Sequence, residues 1–119
     1  RGLSYDSADE LLVTPDMHAR KRAMAERADA FIALPGGWGT LEEMFEVMTL
    51  KQLGEHAKPV IWLNIAGFYD PLLRFLGQLY DARFARPESA RLYHVASDVA
   101  SALAYLDTYQ PPVIPSKWM

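Results

Sequence analysis

The residues best suited to chemistry are three glycines and a glutamate between positions 36 and 43. Gly36, Gly37 and Gly39 follow an apolar run at 30–34, and Thr40 to Glu43 open a helical pattern. Glycines allow close backbone approach, and a helix start offers unpaired N–H groups at the positive end of the helix dipole. The arrangement predicts a phosphate-binding loop, with the carboxylate of Glu43 one helical turn away from the bound compound.

The spacing of this loop differs from that of the common nucleotide loops. It matches neither the dinucleotide fingerprint nor the Walker pattern, and no lysine follows the glycines, so ATP and NAD are poor candidates. A tight turn without a ligand is the alternative, although three glycines in four residues make folding entropically costly. Trp38, inside the loop, can stack on a base or pack on a neighbour, and structural packing is the preferred interpretation.

Glu43 has a second interpretation on the residues alone. Thr40 and Glu43 have the spacing of a capping box, in which Thr40 caps the helix and Glu43 reaches back to the N–H of Thr40. A carboxylate on a partly apolar helix face is costly when it is buried without a partner, which favours a role in a site. Both interpretations stay open at this level.

Two cations interrupt the apolar face of the helix predicted at 17–27. Met17, Arg20 and Lys21 fall on one face with Met24. Arg20 and Lys21 can extend past the edge of the core into solvent. Alternatively, the planar guanidinium of Arg20 can bind a phosphate, a sugar hydroxyl or a carboxylate such as that of Glu43.

Taken together, two motifs carry a family resemblance. Pro-Gly-Gly-x-Gly-Thr-x-x-Glu at 35–43, preceded by Met-His-x-Arg-Lys at 17–21, resembles the LOG ("lonely guy") family. Its members are cytokinin riboside 5'-monophosphate phosphoribohydrolases, often labelled possible lysine decarboxylases. The resemblance runs from about residue 10 to residue 105 and covers the C-terminal part of the family domain. We therefore expect residues 1–119 to be a single α/β nucleotide-binding domain, incomplete at its N-terminus.

The resemblance implies an activity and a set of site residues. The activity is hydrolysis of the N-glycosidic bond of purine nucleoside 5'-monophosphates, in particular N6-modified adenosine monophosphates, without a cofactor. The implied catalytic residues are Arg20 and Glu43. The residues implied to bind the phosphate and the nucleotide are Gly36, Gly37, Gly39, Thr40, Met17 and Lys21.

Two other functions remain to be weighed. A nucleotide-binding module without turnover would use the same loop. A lysine decarboxylase normally needs pyridoxal phosphate on a Schiff-base lysine with a partner for its ring nitrogen. The lysines of this chain lie in no recognisable setting of that kind.

Composition excludes several classes of partner. A chain of 119 residues with net charge −3 forms one domain at most and lacks the basic face that nucleic acids need. No apolar run approaches the roughly 18 residues that span a bilayer, so a membrane partner is not expected. The absence of cysteine fits the cytoplasm. The three histidines show no metal-ligand spacing, and no metal is expected.

Strand and helix patterns alternate along the chain. Strands are predicted at 10–14, 30–34, 59–64 and 91–96, and helices at 17–27, 40–53, 70–83 and 98–109. We place N-caps at Asp70 and Asp98 and a helix-ending glycine at Gly54. The alternation predicts a Rossmann-like α/β fold, a parallel sheet flanked by helices, with ligands at the carboxyl ends of its strands.

The helix at 40–53 also bears on assembly. Val47 and Leu50 lie on a second apolar face that one sheet cannot cover. This predicts a homo-oligomer, at least a dimer, with Val47 and Leu50 near the interface.

Overall fold

The structure is a computed structural model and describes residues 26–113. Glu26 and Arg27 are helical, and the residues after them form three strands, three α-helices and two short 3-10 helices. The strands are β1 (Phe31–Ala33), β2 (Val60–Leu63) and β3 (His94–Ala96). The α-helices are α1 (Trp38–Gln52), α2 (Asp70–Asp81) and α3 (Val99–Asp107), and the 3-10 helices are Ile65–Gly67 and Pro87–Leu92.

The three strands form one parallel sheet in the order β1-β2-β3. Phe31 pairs with Val60 across the first ladder, and Ile61 pairs with His94 across the second. Parallel neighbours need crossover connections, which α1 and α2 supply. The predicted Rossmann-like α/β class is therefore confirmed. The strand predicted at 10–14 and most of the helix predicted at 17–27 lie outside the described residues.

The core lies on both faces of the sheet because the central strand is buried on both sides. Val60 and Trp62 pack on the α1 side, in one cluster with Met44. Ile61 and Leu63 belong to a second cluster on the α3 side. All four residues of β2 are at most 2% exposed, as expected for a continuous apolar run in a parallel sheet.

The glycine predicted to end the first helix does so. Gly54 adopts a φ of 84°, and its N–H donates to Lys51 O. The N–H of Glu55 donates to Leu50 O at 2.9 Å, which completes a Schellman motif. This end of α1 follows from local sequence, because a left-handed residue there favours glycine.

The predicted helix starts are correct in one case and displaced in two. α1 begins at Trp38 with Gly37 as N-cap, two residues before the predicted start at Thr40. α2 begins at Asp70 with Tyr69 as N-cap, so Asp70 is the first helical residue and not the cap. Asp98 does cap α3, and its carboxylate accepts the N–H of Ser101 at 2.7 Å.

The last strand is shorter than predicted. We expected a strand at 91–96, whereas β3 covers only His94–Ala96. The preceding residues form the 3-10 helix Pro87–Leu92, in which Leu92 is buried. Proline fixes φ near the helical value, which favours a helical turn over an extended start.

The placement of Val47 corrects one premise of the predicted interface. Val47 is 6% exposed and packs in the core with Met44 and Met48. Its apolar side chain is therefore covered within the chain, and it does not lie on a second, uncovered face of α1. Leu50 is partly exposed. No helix within residues 26–113 is long and apolar enough to cross a membrane.

Candidate active site

The glycine loop joins the carboxyl end of β1 to the start of α1. Gly36, Gly37 and Gly39 are exposed. The first hydrogen bond of the helix runs from Leu41 N–H to Gly37 O at 3.0 Å, and Gly37 provides no side-chain cap. The three N–H groups before Leu41 have no carbonyl in the helix to accept them. An exposed helix start of this kind has the geometry and the dipole to bind an anion.

The glycines of the loop differ in what surrounds them. A Cβ on Gly36 would lie 2.4 Å from Thr40 Oγ1 and 3.2 Å from Thr40 Cβ. Thr40 is 8% exposed, so its side chain packs directly under the loop. At Gly37 and Gly39 a Cβ would meet no atom within 4 Å. Gly36 is therefore required for packing within the protein, whereas Gly37 and Gly39 face open space beside the helix start.

Glu43 lies in the second turn of α1, on the same helix face as Gly39 and Thr40. It is half-buried, and it follows Gly39 and Thr40 by four and three residues. Residues with this spacing share a helix face, and the Cα–Cβ bonds of a helix tilt toward its N-terminus. Glu43 therefore lies about one helical turn beyond Gly39 and Thr40 on the same face of α1.

The capping-box interpretation of Glu43 is wrong in this structure. Gly37, not Thr40, is the N-cap, and no side chain caps the helix. Thr40 is already the third helical residue, so Glu43 is not in the position that reaches back to a cap. The expected packing of Trp38 is not observed either, because this side chain is 89% exposed.

The connection from β2 to α2 adds polar residues that the sequence reasoning missed. Asn64 follows the last residue of β2, and its Oδ1 accepts the N–H of Tyr69 at 2.6 Å. Tyr69 donates its hydroxyl to Leu34 O, also at 2.6 Å. Burial raises the pKa of Tyr69, and a hydrogen bond from the Gly36 backbone partly opposes that effect. A polar residue directly after a buried strand was the available signal, since ligands bind at this edge.

The structure brings together only part of the predicted site. Gly36, Gly37, Gly39, Thr40 and Glu43 lie within one loop and the first two turns of α1. The other predicted residues are Met17, Arg20 and Lys21, which lie outside the described residues. Among residues 26–113, no group of histidine, aspartate and glutamate side chains is placed to hold a metal ion.

Lys51 has a strongly lowered pKa, but it lies far from the glycine loop. Its ammonium is buried, donates to Leu92 O at 3.0 Å and lies 5.0 Å from the ring centre of Tyr109. Burial lowers its pKa to about 8. Lys51 is in the last turn of α1, roughly 20 Å along the helix from Trp38 at 1.5 Å per residue. It is therefore unavailable to a compound bound at the loop.

Comparison with known proteins gives a consistent result. The family model described as "Possible lysine decarboxylase" matches residues 2–106. The cytokinin riboside 5'-monophosphate phosphoribohydrolase LOG7 of Arabidopsis thaliana is 44% identical over 111 residues, which are 93% of this chain and 51% of that protein. LOG2 of the same plant is also 44% identical, over 93% of this chain and 52% of its own length. The chain thus spans about half the length of the curated relatives it matches.

Proposed function

Since this chain belongs to the family described as possible lysine decarboxylase, we propose that the protein hydrolyses purine nucleoside 5'-monophosphates. Water would replace the base at C1' of the ribose, releasing the free base and ribose 5-phosphate. The observation that carries the proposal is the exposed, uncapped start of α1 with Glu43 on the same side. The names of LOG7 and LOG2 agree with this reaction. N6-modified adenosine monophosphates are the proposed substrates.

The glycine loop would bind the 5'-phosphate. The N–H groups of Trp38, Gly39 and Thr40 point out of the helix start, where the helix dipole favours an anion. Gly37 and Gly39 have no protein atoms beside their Cα positions, which leaves room for phosphate oxygens. Binding of the phosphate, remote from the bond that breaks, would hold the ribose in position for reaction.

Glu43 would act at the ribosyl centre. Cleavage of an N-glycosidic bond develops positive charge on the sugar ring, as in glycosidases. A carboxylate close to that centre stabilises the charge, or orients and deprotonates the attacking water. One carboxylate suffices more readily here because a purine is a tolerable leaving group. No cofactor takes part in this scheme.

Arg20, Met17 and Lys21 complete the proposed site on the strength of the Met-His-x-Arg-Lys motif alone. The guanidinium of Arg20 would orient both the substrate and the carboxylate of Glu43. Met17 and Lys21 would contact the nucleotide.

We further propose a homo-oligomer, at least a dimer, in the cytoplasm. Large apolar side chains remain at the surface of the described residues, among them Phe84 at 84% and Phe75 at 52% exposure. Exposed apolar side chains are often covered by a partner when they form a patch. Light scattering at micromolar concentration tests the assembly, and a monomer would contradict it.

The decisive experiment compares AMP with adenosine in the full-length protein. Loss of charge-assisted phosphate contacts of about 3–4 kcal/mol predicts a kcat/KM for adenosine a few hundred-fold lower. Base release is followed by chromatography. Equal rates would show that the loop does not bind the phosphate during catalysis. Tight binding of AMP that stays intact would indicate a nucleotide-binding module instead.

A pair of variants isolates the role of Glu43. Glu43→Gln should reduce turnover about 100-fold or more, because an amide cannot stabilise the charge or accept the proton. Glu42→Gln is the matched control, since the neighbouring Glu42 is exposed on the same helix. It should retain turnover. Full activity of Glu43→Gln with normal stability would remove Glu43 from the mechanism.

A further inference from the structure

A single hydroxyl connects the β2–α2 connection to the glycine loop. Tyr69 is 3% exposed, and its hydroxyl donates to Leu34 O at 2.6 Å. Leu34 stands two residues before Gly36, and its side chain is 50% exposed. Leu34 is therefore not fixed by burial of its own side chain. Its carbonyl is fixed by a residue 35 positions further along the chain.

Tyr69 is itself firmly placed by aromatic contacts. Its ring makes an edge-to-face contact with Trp62, with centroids 4.9 Å apart. Phe68 makes a second edge-to-face contact with it at the same distance. Trp62 is fully buried in the central strand, so Tyr69 packs directly on the core of the sheet. Such aromatic pairs favour one ring orientation over others.

Hydrogen bonds hold the backbone of Tyr69 as well. Its N–H donates to Asn64 Oδ1 at 2.6 Å, and Asn64 Nδ2 donates to Asp70 Oδ1 at 2.7 Å. The main-chain N–H of Asn64 donates to Ala96 O at 2.7 Å, which ties this residue to the end of β3. The position of the tyrosine is thus determined by the carboxyl ends of two strands.

The connection contains a sharp, left-handed bend. Ala66 and Gly67 have φ values of 54° and 71°. Left-handed backbone is unfavourable for alanine and persists only where the surroundings enforce it. A Cβ at Gly67 would lie 2.6 Å from Asp70 Oδ2, so a larger residue there would also displace the Asp70 side chain. Tyr69 follows this bend by two residues, and its hydroxyl reaches Leu34 O.

We propose that Tyr69 is a positioning residue for the phosphate site, an inference that rests on the proposed function. Three glycines give this loop more backbone freedom than other residue types at the same positions would, so contacts from outside the loop help to hold its geometry. The Tyr69 hydroxyl supplies that constraint at the main chain just before Gly36. It keeps the N–H groups of the α1 start aligned for the 5'-phosphate, without contact between Tyr69 and the substrate.

Tyr69→Phe in the full-length protein is the test, because it removes the hydroxyl and keeps the ring contacts. Tyr109→Phe is the matched control. The hydroxyl of Tyr109 also donates to a main-chain carbonyl, that of Ala57 at 3.0 Å, near the opposite ends of the strands. For Tyr69→Phe we expect kcat/KM for AMP to fall roughly tenfold while that for adenosine changes little. The control should keep the wild-type AMP-to-adenosine ratio.

Titration with inorganic phosphate provides a readout that does not depend on turnover. Tyr69→Phe should bind phosphate roughly tenfold more weakly than wild type, and Tyr109→Phe should bind it normally. If Tyr69→Phe keeps the wild-type ratio of AMP to adenosine turnover and the wild-type affinity for phosphate, the positioning role is overturned. Base release from AMP by the wild type would still support the proposed function in that case. If the wild type leaves AMP intact but Tyr69→Phe alone weakens phosphate binding, the proposed function fails and the positioning role stands.

A second variant covers the case in which Tyr69→Phe does not fold. Asn64→Ala keeps the Tyr69 ring and hydroxyl but removes the acceptor of its backbone N–H. It should also reduce the AMP-to-adenosine ratio, to a smaller extent. An unchanged ratio and unchanged phosphate affinity in folded Asn64→Ala would count against the role of this connection.

Discussion

Replacing Gly36 with alanine perturbs the glycine loop through a clash with the protein itself, at Thr40. The new Cβ would lie 2.4 Å from Thr40 Oγ1, well inside the 3.0 Å below which such contacts are essentially never found. Thr40 is β-branched, helical and buried, so few rotamers are open to it. Either the loop or the first turn of α1 must move. Overpacking of this kind costs about 1–3 kcal/mol of unfolding free energy.

Gly39→Ala adds a methyl group on the open surface of the same loop, where the phosphate is proposed to bind. A Cβ there meets no protein atom within 4 Å, and Gly39 is the second residue of α1. Because alanine is the better helix former, the free energy of unfolding should stay constant or rise by up to about 1 kcal/mol. If phosphate oxygens approach this Cα, the methyl group should still reduce AMP turnover by about tenfold or more.

The two variants are compared by urea unfolding and by base release from AMP. Gly36→Ala should lose both stability and turnover, whereas Gly39→Ala should lose turnover alone. Full AMP turnover by Gly39→Ala would refute the close approach of the phosphate to the helix start. Wild-type stability of Gly36→Ala would refute the tight packing of Gly36 on Thr40. A Cβ at Gly37 also meets no atom within 4 Å, so AMP turnover by Gly37→Ala is a second test of the proposed close approach of the phosphate.

Three further predictions concern other parts of the chain. Burial lowers the pKa of Lys51 to about 8, so between pH 8 and 10.5 its amine is neutral in the folded state but still protonated in the unfolded state. The free energy of unfolding should therefore rise with pH over this range, and Lys51→Met should abolish the rise in urea unfolding. Arg83→Gly should raise the free energy of unfolding by up to about 1 kcal/mol, since Arg83 has a φ of 66° at the end of α2; a decrease in calorimetry would contradict this. Arg20→Ala should reduce base release far more than melting temperature, and simple unfolding would instead indicate a packing role.

The local features of the fold were predictable from sequence because they depend on single residue types. Gly54 ends α1 in the left-handed conformation that glycine favours. Asp98 caps α3 with its carboxylate, as short acidic side chains commonly do. The buried run of β2 and its parallel pairing follow from continuous apolar residues between helical segments. The presence of the glycine loop was predictable for the same reason, since three closely spaced glycines stand between a strand pattern and a helix pattern.

The orientation of α1 was not predictable in this way. Its apolar residues are spread around the helix, so periodicity left two faces as candidates for the core. Packing on β1 and β2 selected the side of Met44 and Val47. The helix also starts at Trp38, two residues before the start predicted from the capping box.

By itself, the sequence determined the glycine loop, the carboxylate after it and the α/β alternation, because each is encoded within a few consecutive residues. Only the tertiary structure decided that Tyr69 holds the main chain of Leu34, since these residues are 35 positions apart and meet only when β1 and β2 pair. Hydrogen bonds between distant segments leave no periodic pattern in a sequence. The geometry of the loop therefore depends on a contact that appears only in the folded sheet.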